Sequence, residues 1–289
     1  MRLGVHVSIA GKIYESIDRA EALGCQTMQI FSRSPREWKH APLEPQDILE
    51  FKKRRKRSHI APLVIHVPYL TNLASPRSRL FYNSVRFNIE YLKEADELGA
   101  EYLVTHMGSH KKSGEARGLA RVTEALNRIF AKTIGLKTMV LLENTSGSGS
   151  WLGYNFLHLK KIIDNLSDRK RIGVCLDTCH AYSAGYDLAT ESGLEATVRE
   201  LDGLVGLEKL KLVHLNDSRD ALGSRYDRHE HIGKGKIGLR GIKGIINHPK
   251  LRHLPFILET PKKDLGDDIR NLKTVRRLSP SELKVRRVG

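Results

Sequence analysis

Eight short apolar runs, each rich in Val, Ile or Leu and each followed by a longer stretch of helical periodicity, constrain this chain more than any other feature. They are LGVHVS from Leu3, TMQIFS from Thr27, APLVIHV from Ala61, EYLVTHMG from Glu101, TMVLLENT from Thr138, RIGVCLDTCH from Arg171, LKLVHLNDS from Leu210 and LPFILETP from Leu254. Strands that alternate with helices run parallel, and repeated βα units wind around one sheet. No Pro/Ser/Gly-rich linker divides the runs into blocks, and 289 residues suffice for a barrel of roughly 250. The expectation is an α/β chain folded as a (β/α)8 TIM barrel, a single domain over residues 1–279 with a basic tail at 280–289. A doubly wound open sheet is the other arrangement that eight units allow. Ile269, Leu272 and Val275 are spaced for a final helix, and Ile48, Leu49 and Phe51 for another that carries the basic run KKRRKR at Lys52 to Arg57 on a solvated face.

The residues capable of chemistry fall at equivalent places in these runs. His66 closes the third, His106 the fourth, Glu143 the fifth, Asp177 the sixth, His214 the seventh and Glu259 the eighth. In a barrel those strand ends meet on one rim. A single histidine at a strand end is more often a structural hydrogen-bonding group than a ligand. The collection is different, because His180, Asp227 and His229 join it, and burying several carboxylates without counter-ions is costly. A bound cation removes that cost. Imidazole and carboxylate without obligatory thiolate suit Zn²⁺, with Mn²⁺ or Fe²⁺ possible, and nine candidates exceed one tetrahedral site. Metals about 3.5–4 Å apart clamp the oxygens of an in-line phosphoryl displacement, which points to phosphate-ester hydrolysis.

Charge supports such a substrate without proving it. Forty-nine Lys and Arg against 33 Asp and Glu leave a formal charge of +16, which suits a polyanionic partner, although basic chains also bind membranes or merely stay soluble. Three cysteines, Cys25, Cys175 and Cys179, are too few for a disulfide framework and fit a reducing cytosol. The N-terminal residues lack a leader-like apolar core, and no window approaches the roughly 18 apolar residues of a membrane span, so a cytoplasmic protein without a membrane partner is expected. GKGKIG from Gly233 lacks the spacing of a phosphate loop, and no nucleotide cofactor is expected.

Several longer motifs resemble the endonuclease IV family of apurinic/apyrimidinic (AP) endonucleases. GVCLDTCH from Gly173 to His180 resembles one family signature, and HLNDSRDALGSRYDRH from His214 to His229 a second, with Arg219 where Lys is usual. HVPYLTNLA from His66, HMGSH from His106, LLENTSGSG from Leu141 and ILETP from Ile257 resemble further blocks in the family's order, so the likeness spans residues 1 to 275. It implies three zinc ions: one held by His66, His106 and Glu143, a second by Glu143, Asp177, His214 and Glu259, and a third by His180, Asp227 and His229. It also implies attack by a metal-activated hydroxide on the phosphate 5′ to an abasic sugar in duplex DNA, leaving a 3′-hydroxyl and a 5′-deoxyribose phosphate, with Glu143 and Glu259 as catalytic residues. Arg36, Tyr69 and Leu70 match positions where the family inserts side chains around the lesion. A monomer is expected.

Met107 and Glu37 depart from the family's usual Pro and Gln, the second of these disfavouring a phosphate contact in the insertion loop. In the His229–Glu230–His231 triplet the resemblance selects His229 and leaves His231 a supporting or phosphate-facing place, while Cys179 stands between two implied ligands without a required role. Two rival readings are a metal-dependent sugar isomerase, which needs two metals at most, and a non-catalytic nucleic-acid-binding protein, which leaves the nine ligand types unexplained.

Overall fold

The computed structural model describes residues 1–35, 37, 38 and 42–279; the expected contact at Arg36 and the tail at 280–289 lie outside them. Eight parallel strands form one sheet: β1 (Arg2–Val5), β2 (Met28–Ile30), β3 (Leu63–His66), β4 (Tyr102–His106), β5 (Met139–Glu143), β6 (Ile172–Asp177), β7 (Leu210–His214) and β10 (Pro255–Leu258). Their order is β1-β10-β7-β6-β5-β4-β3-β2, and the two ends meet through a parallel bridge between His6 and Gln29, where the Val7 amide donates to the Gln29 carbonyl at 2.7 Å. The sheet is therefore a closed barrel, not an open one. Closure is tight at β1: a Cβ added to Gly4 would lie 1.8 Å from the Thr27 carbonyl oxygen.

Helices α1 (Glu15–Ala22), α2 (Pro45–Arg57), α3 (Ser78–Glu97), α4 (Glu115–Ala131), α5 (Phe156–Asp164), α7 (Glu191–Leu204), α8 (Gly238–Asn247) and α9 (Leu265–Leu278) surround the strands, with the short α6 (Thr178–Ala184) directly after β6. Pro45 at the start of α2 has the φ a first turn needs and no amide to satisfy. Asp264 and Asp267 cap α9 reciprocally. In α2 Ile48 and Phe51 are buried, but Leu49 is exposed, because one residue further along turns the side chain about 100° away from the barrel. The same offset exposes Ile269 in α9, whose inner face is Asp268, Asn271, Leu272 and Val275.

Strand alternation positions the site. Inside the barrel Val64, Val104, Leu141, Cys175, Leu212 and Ile257 form one packed layer. Each stands two residues before His66, His106, Glu143, Asp177, His214 or Glu259, so the pleat that aims the first set inward aims the second the same way, one step nearer the rim. Filling the interior with apolar side chains closes the barrel below the site.

Candidate metal centre

Glu143 sits at the middle of the rim, fully buried. Its two oxygens face different neighbours. Oε2 lies 3.1 Å from His66 Nε2 and 3.3 Å from His106 Nε2, while Oε1 lies 3.1 Å from His214 Nδ1 and 3.3 Å from His180 Nδ1. Sheet register produces this, since His106 pairs with Glu143 across β4 and β5, and Asp177 with His214 across β6 and β7. Glu259 Oε2 is 3.3 Å from His214 Nδ1, and the Glu259 amide is fixed by Asn216 Oδ1 at 2.8 Å.

The turn from β6 into α6 adds a second tier. Asp177 ends the strand and caps the helix, its Oδ1 accepting from the His180 amide at 2.7 Å, which leaves Oδ2 toward the rim and carries His180 one turn onward. A two-stranded hairpin, β8 (Asp217–Ser218) with β9 (His229–Glu230), folds the long loop after β7 back over this tier. There His180 Nε2 is 3.0 Å and His229 Nε2 3.5 Å from Asp227 Oδ1, and His229 Nε2 is 3.6 Å from Asp177 Oδ2. All nine expected residues are thereby brought together. Among the described residues the donor atoms fall into five overlapping groups with atoms within 4.8 Å of one another: three match the expected sets His66–His106–Glu143, Glu143–Asp177–His214–Glu259 and His180–Asp227–His229, and the others are His66–His214–Glu259 and Asp177–Cys179–His229.

The electrostatics of this cluster are those of a cation site. Two like charges 4.8 Å apart repel by about 3 kcal/mol at an effective dielectric of 20. Burial alone would raise the Glu143 carboxyl, but His106 and His214 beside it, with hydrogen bonds from His180 and His214, hold it well below its usual range. Burial is likewise overcome at Glu259 by His214 and His6, and at Asp227, which falls to about 2, chiefly by His180. Asp177 is raised, because burial there outweighs His180 and His229. The imidazoles are raised in turn: against the effect of burial, Asp177 and Asp227 lift His180, and the neighbouring Cys175 thiol, Glu259 and Glu143 lift His214, both well above the ordinary value. His106, by contrast, is pushed by burial down to about 4 and is neutral at pH 7.

Ring orientation points the same way. His66, His180 and His229 donate Nδ1–H to the carbonyls of Val67, Asn144 and Glu259, at 2.7, 3.0 and 3.0 Å. Their Nε2 atoms then face carboxylate oxygens, an arrangement that needs a proton or a metal cation between the two. Among the described residues His106 Nδ1 and Nε2, His180 Nε2 and His229 Nε2 are buried without a hydrogen bond. The His180 Nε2 to Asp227 separation of 3.0 Å is therefore a close approach of two donors to a common point, lacking the alignment of a hydrogen bond. These residues fit a resident metal cluster.

Above the cluster a cavity of about 220 Å³ is lined by Tyr69, His106, Thr145, Ser146, Ser148, Trp151, His180 and Asp227. Tyr69 is 56% exposed and stacks on His106 with ring centroids 4.7 Å apart, whereas Leu70 is half-buried against the core. His231 faces α9, its Nδ1 3.1 Å from Asn271 Nδ2 and its Nε2 3.8 Å from Asp267. Cys179 donates to the Arg228 carbonyl, and burial pushes its thiol up to about 12, which disfavours a thiolate ligand. Two residues that sequence reasoning passed over also reach the rim. Gln29 is buried between Glu259 and His214, and the alternation of TMQIFS carried the signal for it. Trp151 comes from a glycine-rich loop with no periodicity to read.

Fold and site together define a barrel enzyme of the xylose isomerase-like TIM barrel class, and the model of that family, AP endonuclease 2, matches residues 17–278. The chain is 47% identical over 262 residues, 91% of its length and 94% of the relative's, to "Probable endonuclease 4" of Halothermothrix orenii. It is 44% identical over 281 residues, 96% and 98% of the two lengths, to the protein of the same name from Methanosphaerula palustris. Among solved structures, endonuclease IV from Thermus thermophilus superimposes with a TM-score of 0.87 at 38% identity, over 96% of this chain and 98% of that one. A D-tagatose 3-epimerase-like protein, 21% identical and covering 100% of both chains, gives 0.75 and shares the fold. The chain belongs to the endonuclease IV family of AP endonucleases, metal-dependent hydrolases of DNA repair.

Proposed function

We propose that this protein incises duplex DNA at abasic sites, hydrolysing the phosphodiester 5′ to the lesion to leave a 3′-hydroxyl and a 5′-deoxyribose phosphate, with three zinc ions in the rim cluster. The observation that carries the reading is that Glu143 turns one oxygen to His66 and His106 and the other to His214 and His180, with Asp227 and His229 gathered at the far nitrogen of His180. His66, His106 and Glu143 would hold one ion, Glu143, Asp177, His214 and Glu259 a second, and His180, Asp227 and His229 the third. All-imidazole-and-carboxylate donors favour zinc, and Mn²⁺ or Fe²⁺ would also suit them. When bound, the ions supply a nucleophile at neutral pH and neutralise charge on the phosphoryl oxygens.

The chain's own residues do the rest. Glu143 sets the spacing of the first two donor groups, and Glu259 holds its share of the second. Tyr69 presents an exposed ring at the cavity mouth, where with Leu70 it would fill the gap left by a missing base, and Arg36 would join them. The cavity of about 220 Å³ admits an extruded sugar and phosphate more readily than a stacked nucleotide with its base. The formal charge of +16 complements the phosphate backbone. We assign residues 1–279 to one catalytic domain, followed by a basic tail, working as a monomer in the cytoplasm; among the described residues no helix is long and apolar enough to cross a membrane.

The test is incubation of the purified protein with a duplex carrying one abasic analogue, and in parallel with aldose and ketose sugars. A single 5′ incision that a chelator abolishes and zinc restores is the expected result. Sugar epimerisation without incision would overturn the assignment.

A further inference from the structure

Three of the cluster's histidines take their orientation from the main chain, as described for His66, His180 and His229. His214 is reversed. Its Nδ1 faces the cluster, 3.1 Å from Glu143 Oε1 and 3.3 Å from Glu259 Oε2, and its Nε2 points away, to the side-chain oxygen of Gln29 at 2.8 Å. The amide nitrogen of Gln29 lies 2.6 Å from Glu259 Oε1 and 3.0 Å from His6 Nδ1.

That amide has one orientation compatible with its neighbours. Turned over, its oxygen would face the ionised Glu259 carboxylate at hydrogen-bond distance, acceptor against acceptor. As it stands, one N–H serves Glu259, the other serves the His6 lone pair, and the oxygen accepts from His214 Nε2–H, so both donors and the acceptor are engaged. His214 must then carry a proton on Nε2, so that Nδ1, toward Glu143 and Glu259, is the nitrogen that would give up its proton to a metal ion. Glu259, tied through Oε1, keeps Oε2 toward the same point. Gln29 is itself held rigidly, since it is fully buried and its strand closes the barrel at the His6 bridge.

We infer that Gln29 is a positioning residue for the second donor group, setting the His214 tautomer and the Glu259 rotamer at once. The inference rests on the metal-holding role proposed above. Gln29 touches no reacting atom, and its work is done through two of the four side chains that would share one ion. Partners of this kind typically change metal affinity by about 10- to 100-fold when removed.

The test uses the full chain loaded with zinc and the near-isosteric Gln29→Met, which fills the same volume without the hydrogen bonds. Titration with a competing chelator should release one zinc per chain from the variant at a chelator concentration about 10- to 100-fold lower than from the wild type, while the remaining zinc leaves at unchanged concentrations. Incision by the variant should show a lowered kcat with KM little altered, and excess zinc should restore it, which a merely structural role would not allow. Release curves that superimpose would overturn the inference. A second measurement needs no variant: ¹⁵N shifts of the zinc-loaded wild type should show His214 protonated at Nε2, and a proton at Nδ1 would overturn the inference even if Gln29→Met failed to fold. Wild-type protein that binds no zinc, by contrast, would overturn the metal reading itself.

Discussion

The two ends of this barrel treat buried polar groups in opposite ways. At the N-terminal end the buried hydroxyls are paired: Thr27 Oγ1 donates to the Pro62 carbonyl at 2.7 Å and Thr138 Oγ1 to that of Ala100 at 2.8 Å. The half-buried Asp96 accepts through Oδ1 from the Lys137 and Thr138 amides, and the exposed Glu101 through Oε2 from the Leu63 amide and Arg55. At the C-terminal end carboxylate oxygens and imidazole lone pairs converge on common points and leave buried nitrogens without hydrogen bonds. The first arrangement stabilises the chain alone; the second presents ligand atoms that cations would complete. One fold thus separates the work of standing up from the work of catalysis, and strain at the rim is supported by satisfaction at the base.

Breaking the rim should abolish activity while sparing the fold. For Glu143→Gln, incision is expected to fall by well over the roughly 100-fold typical of losing even a supporting group, with bound metal reduced, and Glu259→Gln should likewise keep its fold and lose incision. Wild-type incision by either would break the comparison.

Breaking the interior should do the reverse. Leu141 is fully buried in the layer beneath the rim, and Leu141→Ala should cost about 2–5 kcal/mol, readable in denaturant unfolding. At the base Thr138→Val should cost about 1 kcal/mol. In both, metal per folded chain should match the wild type, and selective metal loss would show that the two ends are not separable.

At the cavity mouth the expected effect is smaller. Tyr69→Ala should weaken binding to an abasic duplex by about 1–3 kcal/mol, the scale of one aromatic–base contact, leaving metal content unchanged. The result sharpens the distinction within the rim between residues that hold metal and residues that meet DNA.

A further effect lies in the pH dependence of the metal-free protein. His106 is held down to about 4 when folded, below the roughly 6.5 of an unfolded histidine, so between these values the unfolded chain binds the extra proton. Its contribution to stability is present above pH 6.5 and is lost as pH falls toward 4. His180 and His214 are raised, so their contribution is present at low pH and is lost as pH rises through their folded values. Replacing His106 by Gln should flatten the decline between pH 6.5 and 4 in urea titrations, and an unchanged slope would remove His106 from the explanation.

How much of this could be read in advance follows from what carries the signal. Strands buried on both faces announce themselves as apolar runs, and their closing residues, His66 through Glu259, are legible because alternation and rim position come with the fold. Asp177 and His180 were legible together because a strand end and the first turn of α6 are contiguous in one motif. The β8–β9 hairpin was not, since it joins two-residue strands across a loop without apolar alternation, and only the folded chain brings Asp227 and His229 over His180. Gln29 was overlooked for a different reason: an amide carries no charge to stand out in an apolar run, and its importance lies in partners about 185 and 230 residues away. Leu49 and Ile269 show the limit of helical spacing, which identifies the helix but leaves its rotation uncertain by one residue.

The central claim is that the rim residues converge to hold cations on which incision depends. Elemental analysis of the purified chain, followed through stepwise chelation alongside incision of an abasic duplex, tests it most directly. Close to three zinc ions per chain, lost in parallel with activity and regained with it, is the result expected. A metal-free chain that incises at the full rate would contradict it.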